Sequence, residues 1–245
     1  MSSKTIKFWP VVFKQFLFKW NVNKDMFTTL AILQVIALFF SYSGSGTFHY
    51  MDGVELNFHT SDILIVFTMI WLLVIGVQIL RPMNELPTYT MTANRKVDHM
   101  SNIVWLVVMS GIGTVTVLLA SVLLQLIMNY MSGSIAIMPE VPLTFWSYIT
   151  GAVTTFIYLI FAGAFGYFFS VLSQWNQLVK IIIPFFLIGT LFIAPAIIPD
   201  DLLISIFSFI FLEKVFIVFV LKMIVIISLL FAASIGIGNR LEVRK

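Results

Sequence analysis

This sequence predicts an all-α polytopic membrane protein, and three observations carry that prediction. Of 245 residues, 60% are hydrophobic and 10% are charged, whereas a soluble domain carries about 25% charged residues. Apolar runs recur at the length a bilayer demands, which is about 20 residues per helix. Lysine and arginine crowd into alternate connecting segments. The chain has no cysteine, so disulfides, thiolate metal sites and a cysteine nucleophile are excluded.

Residues 1–24 begin basic, as a signal peptide would, but Lys14 and Lys19 interrupt any hydrophobic region and no small-x-small site follows. The segment is read as retained. Lys4, Lys7 and Lys14 fall near one helical face, with Phe, Val and Trp over much of the rest. This pattern predicts a helix lying in the membrane interface, with Pro10 near its start or breaking it.

Six segments qualify as spans, at about 26–42, 62–80, 102–128, 145–172, 181–198 and 215–237. The fourth is long enough to tilt or to extend past the membrane. Pro184 and Pro195 predict kinks or an irregular end in the fifth. Between the first two spans, Asp52-Gly53 in "TFHYMDGVELNFHT" predicts a small hairpin, whose two-residue turn pairs Met51 with Val54 and His49 with Leu56. Before the last span, residues 199–214 read "PDDLLISIFSFIFLEK". The apolar part, Leu202 to Leu212, is too short to cross, so a re-entrant or interfacial element at the outer face is predicted. Fusion with the last span into one long helix is the alternative.

Positively charged loops are poorly translocated. With both termini inside, Lys4, Lys7, Lys14, Lys19, Lys24, Arg81, Arg95, Lys96, Lys180, Arg240, Arg244 and Lys245 all fall inside, against Lys214 outside and Lys222 within a span. The segment 81–101, "RPMNELPTYTMTANRKVDHMS", is therefore an inner loop with far more charge than a simple turn requires.

No phosphate-binding GxxxxGK[ST] string occurs, nor HExxH, GxSxG or a GxGxxG after a strand. Any nucleotide that powers this protein must be bound by another chain. His49, Asp52, Glu55, His59 and Asp62 could each ligate a metal, but their spacing matches no metal motif. Lys222 lies inside the last span; it can snorkel, pair with an acid or face a polar passage. Gln34, Gln78 and Gln125 are single polar residues in the first three spans, suited to interhelical hydrogen bonds or to lining a pathway. Gly151, Gly163 and Gly166 suit close helix packing, and Ala162 with Gly166 gives the small-xxx-small spacing.

Six spans, inner termini, a basic interfacial helix and an apolar element before the last span resemble an ABC-2-type exporter permease. In that family the first inner loop often reads Leu-Pro-x-Ser-Arg, followed by basic residues and another helix. Here "NELPTYTMTANRKVDHMSNIVW" has Leu86 and Pro87 in place, while Arg95 and Lys96 come several residues later. The second inner loop, "FGYFFSVLSQWNQLVKIIIPFFL", is similar to the family's small-residue helix end, Ser and short polar stretch, with Ser170, Gln174, Asn176 and Lys180 at those places.

The resemblance implies that two permease chains, identical or paralogous, form the pathway in a bacterial cytoplasmic membrane, both termini cytoplasmic. It implies a separate cytoplasmic ABC ATPase that carries the ATP and Mg, none being bound by this chain. Glu85, Leu86, Pro87, Arg95, Lys96 and Asp98, with Gln174, Asn176 and Lys180, would then couple the two subunits. Gln34, Gln78, Gln125 and Lys222 are the pathway candidates. The abundance of Phe suits a hydrophobic or amphipathic cargo such as an antimicrobial or toxin peptide. The competing classes are a non-transporting immunity or scaffold protein and a secondary transporter. The latter calls for inverted repeats and midplane ionisable residues. No nucleic acid and no catalytic constellation enters the reading.

Overall fold

A computed structural model describes residues 8–43, 46–49, 55–58, 61–80, 95–132, 144–175, 213 and 215–241. The elements are α1 (Phe8–Val22), α2 (Asp25–Ser43), strands β1 (Gly46–His49) and β2 (Glu55–Phe58), α3 (Asp62–Gln78), α4 (Arg95–Ser132), α5 (Phe145–Trp175) and α6 (Phe216–Leu241). Four of the helices, α2, α4, α5 and α6, are long and apolar enough to cross a membrane; α3 is apolar but shorter. Five of the six predicted spans thus coincide with helices. The fifth, 181–198, lies outside the described residues, as do 199–212, Lys4, Lys7, Asp52, Gly53 and His59.

Local chemistry sets the helix ends. Pro10 sits in the first turn of α1, where its missing N–H is not needed, so it starts the helix rather than breaking it. Asn23 closes α1 twice over: its backbone N–H and its side-chain amide both donate to the Lys19 carbonyl, at 3.0 and 2.9 Å. Asp25 and Asp62 then place a carboxylate in the first turns of α2 and α3, at the positive end of each helix dipole. Several hydroxyls within the spans are satisfied by their own helix, as with Thr68 to the Leu64 carbonyl at 2.8 Å and Ser110 to the Leu106 carbonyl at 2.7 Å. That is the cheapest acceptor available where water is absent.

α5 is the central helix. It runs parallel to α3, with Ser170 Oγ donating to the Val77 carbonyl at 2.9 Å near one end. A Cβ built on Gly76 of α3 would fall on the Gly163 carbonyl oxygen, and one on Gly166 would fall on the Leu73 carbonyl oxygen. Gly163 and Gly166 therefore serve the close packing expected of them. Gly151 does not, because it is exposed and a Cβ there would meet nothing within 4 Å among the described residues. α4 is antiparallel to α5, since His99 meets Tyr167 and Gly113 meets Leu159. α6 is parallel to α5, with Phe219 against Tyr158 and Phe231 against Tyr167. α6 consequently begins at the end of the bundle opposite to the one where α5 finishes.

Two apolar cores stack along the axis. The larger gathers Trp71, Leu72, Trp105, Leu106, Leu159 and Met223, and the smaller holds Ala37, Leu64, Val117 and Leu124 between α2, α3 and α4. Outside them lie large bare apolar faces: Ile32, Val35 and Phe39 on α2, Val115, Leu119 and Leu126 on α4, Ile217, Leu221 and Val225 on α6. Water tolerates no such contiguous surface on a monomer, whereas lipid does. Tyr130, at 90% exposure, and Trp146, at 70%, stand where α4 ends and α5 begins, the level at which aromatic belts meet headgroups.

The strands pair antiparallel, His49 opposite Glu55 and Phe48 opposite Leu56. The Asp52-Gly53 turn predicted His49 opposite Leu56, so the register is displaced by one residue. The strands are joined by an odd number of residues rather than by two. α6 starts at Phe216, after a bend at Val215, and the apolar segment 202–212 that precedes it lies outside the described residues.

Candidate functional site

α4 has 38 residues, a length of about 57 Å against a hydrocarbon core of about 30 Å. Its first turns, which carry Arg95, Lys96 and Asp98, form the foot of the helix. Residues 95–101, predicted as the end of the inner loop, belong to this helix. α1 packs against the foot through Val12, Gln15, Phe16 and Lys19, the i, i+3, i+4, i+7 positions of one face. The polarity of α1 is inverted: Gln15 and Lys19 face inward, while Trp9, Phe13 and Leu17 face out, with Lys14 exposed beside them.

Lys19 is 2% exposed. Its ammonium donates to Asp98 Oδ1 at 3.3 Å and to Asn102 Oδ1. Asp98 and Asn102 are one turn apart on α4, so both present the same face to α1. Asn102 Nδ2 in turn donates to the Tyr167 hydroxyl of α5 at 3.4 Å, and that hydroxyl lies 2.5 Å from His99 Nδ1. The His99 ring abuts Gly238 of α6. A single chain of polar contacts thus ties α1, α4 and α5 together at the foot, with the His99 ring packed on α6, beside the aromatic cluster of Phe16, Trp20 and Trp105. Burial holds the Lys19 pKa below the usual lysine value, and the Asp98 carboxylate works against that effect. Gln15 and Ser101 are buried in the same region, and neither the Gln15 amide nor the Ser101 hydroxyl has a hydrogen-bond partner among the described residues.

Six of the seven described lysines and arginines stand at this end of the bundle: Lys14, Lys19, Lys24, Arg95, Lys96 and Arg240. Lys222 is the other, and its ammonium pairs with Glu213 at the far end. Of the three readings of Lys222, the ion pair is present. Of the coupling candidates, Arg95 opens α4, Lys96 is exposed, and Gln174 is exposed at the end of α5 on the same side. Asp98 is drawn inward to Lys19 instead of facing solvent as a rim charge. Glu85, Leu86, Pro87, Asn176 and Lys180 lie outside the described residues.

The pathway candidates are not brought together. Gln34 donates to Thr116 Oγ1 at 2.8 Å, an interhelical bond between α2 and α4. Gln78 is half-buried at the foot end of α3 and Gln125 half-buried in the far half of α4. Sequence reasoning missed His99, Asn102 and Tyr167, and it treated Lys19 as an interruption of an apolar run and as one of the inner cations. The signal was the matched one-turn spacing, Gln15 with Lys19 and Asp98 with Asn102, on two segments each otherwise apolar on that face. Comparison with family models, with curated proteins and with solved structures finds no match for the chain.

Proposed function

We propose that this chain is the membrane-spanning subunit of an ATP-driven exporter of the ABC-2 type, powered by a separate ATPase that docks at the basic end. One observation supports the reading above the others. The helix that emerges from the inner loop is anchored at its first turns to α1, α5 and α6 through Lys19, Asp98, Asn102, Tyr167 and His99. A push on that loop would move four helices together, which is what a coupling element must do. The basic end is then cytoplasmic, in a bacterial cytoplasmic membrane. That α5 finishes at one end of the bundle and α6 begins at the other supports an odd number of crossings between them, in keeping with six spans. The apolar character of the bundle favours a hydrophobic or amphipathic cargo such as a peptide, carried by a pair of permease chains.

The test is gentle extraction of the tagged chain from its native membrane with crosslinking and mass spectrometry. It is run beside a Glu85→Ala, Arg95→Ala, Lys96→Ala variant that spares the Lys19–Asp98 pair. Recovery of an ATPase with the wild type, at least tenfold reduced in the variant, is the expected result. Well-folded protein that repeatedly comes without an ATPase would overturn the proposal in favour of a scaffold or secondary transporter.

A further inference from the structure

Docking on the α4 foot decides which way the rest of α1 faces. Val12, Gln15, Phe16 and Lys19 are turned inward, and the Lys19 contacts to Asp98 and Asn102 hold the helix against rolling. The outward surface, although set by these protein contacts, is itself sorted by polarity. Trp9, Phe13, Leu17 and Trp20 step by four, four and three residues, so they form one strip. The first three are exposed and Trp20 is half-buried at its end. Lys14 and Asn21, seven residues apart, form a second exposed strip, turned from the first by roughly a quarter of a turn.

Two contacts orient these strips. Trp20 packs against Phe27 of α2 and Trp105 of α4, with ring centroids 5.1 and 6.1 Å apart, so the apolar strip lies on the side where α2 enters the bundle. Lys19 meets α4 at Asp98 and Asn102, where the charged start of that helix gives way to its apolar run. That is the level at which headgroups meet acyl chains. The charge on the outward surface has no counterpart in the protein: Lys14 and Lys24 are exposed, and neither has an ion-pair partner among the described residues. Asp25 adjoins Lys24 in the first turn of α2, but α1 itself contains no acid to offset Lys14.

We propose that the outward surface of α1 is a binding surface for anionic phospholipid, with Trp9, Phe13 and Leu17 among the acyl chains and Lys14 on a headgroup phosphate. The two strips reproduce, at the depth where α1 is held, the gradient from apolar to charged that a leaflet presents. Trp20 and Phe27 also link the apolar strip to α2, whose own outer face is apolar. Lipid on this surface and the Lys19–Asp98 pair beneath it hold α1 from opposite sides, so an anionic leaflet strengthens the docking of α1 on the foot. The surface does not depend on the chain being a transporter.

Two measurements on the full chain in lipid nanodiscs test this. The sequence has no cysteine, so Phe13→Cys and Asn21→Cys can each carry a single fluorophore. Phosphatidylcholine brominated along its acyl chains should quench the label at the Phe13 position and spare the one at Asn21, while aqueous iodide should do the reverse. Any other pattern, including a Phe13 label that neither quencher reaches because protein covers it, overturns the proposal. The second measurement is hydrogen–deuterium exchange of residues 8–22 in phosphatidylcholine, with and without about one third phosphatidylglycerol. Protection should rise about fivefold with the anionic lipid, the effect of one lysine at a charged leaflet. In Lys14→Gln, which leaves the foot contacts intact, that rise should vanish. A wild type indifferent to phosphatidylglycerol, or a Lys14→Gln variant with the full response, overturns the proposal.

Discussion

Gly76 of α3 and Gly163 of α5 meet backbone to backbone, so closely that no side chain fits between them. Gly166 meets Leu73 in the same way one turn along. The two helices cross on glycine because lipid supplies no hydrophobic drive to hold them; close van der Waals approach does that work instead.

Gly76→Ala and Gly166→Ala should therefore lower thermal stability in detergent, by about 1–3 kcal/mol each, as overpacking of a fitted contact does. Gly151→Ala, in open space on the same helix as Gly166, should gain up to about 0.5–1 kcal/mol from the lost backbone freedom of glycine. Equal melting of Gly76→Ala and Gly151→Ala would remove the crossing from the account.

The pair at the foot should behave as a unit. Asp98→Leu alone leaves the Lys19 ammonium buried without its carboxylate, a loss that reaches about 3–5 kcal/mol for fully buried pairs. Asp98 is partly exposed, which places this case at the lower end. Lys19→Met with Asp98→Leu should lose less than the sum of the two single changes. Additive losses in a double-mutant cycle would show that the two side chains are not coupled.

Lys19 also fixes a pH dependence. Its folded pKa is lowered, by burial first, while the unfolded chain titrates near 10.5. Between those values the unfolded state binds more protons, so stability rises as pH climbs through the lowered value and levels off above 10.5. Thermal midpoints of the wild type should gain on Lys19→Met as pH rises through that window toward 10.5. Parallel curves for the two proteins would refute the assignment.

Gln15 gives a prediction of opposite sign. Its amide is 1% exposed and has no hydrogen-bond partner among the described residues. Gln15→Met keeps the volume and removes the unmet groups, and should stabilise by about 1–3 kcal/mol. A destabilised Gln15→Met would mean that the amide is bonded in the membrane-embedded protein.

At the far end, Lys222→Met should cost more than the double change Lys222→Met, Glu213→Gln, because the single change strands a half-buried carboxylate. Melting of both variants in one detergent reads this directly. A double variant no more stable than Lys222→Met would count against the pair.

The spans were legible because burying backbone in lipid permits few solutions, and a run such as 216–237 admits only a helix. The foot was not legible, for a different reason. Asp98, His99 and Asn102 sit between a charged loop and an apolar run, where a helix start and a loop end look alike in one dimension. Lys19 precedes Asp98 by 79 residues, and the one-turn spacing that the two segments share does not by itself say that they meet. The β1–β2 register failed because a two-residue Asp-Gly turn is one solution among several loop lengths, and one residue of difference exchanges every cross-strand partner.

The inward-facing polarity of α1 has a consequence for how the protein is made. α1 leaves the ribosome before the surface that will accept Lys19 exists, and Asp98 follows 79 residues later. At about 5–20 residues per second the delay is roughly 4–16 s. For that interval a lysine destined for the interior needs water or a temporary escort. Newborn α1 is thus a client for whatever factor shelters unfinished membrane proteins, and a pause in translation before Asp98 would lengthen its exposure.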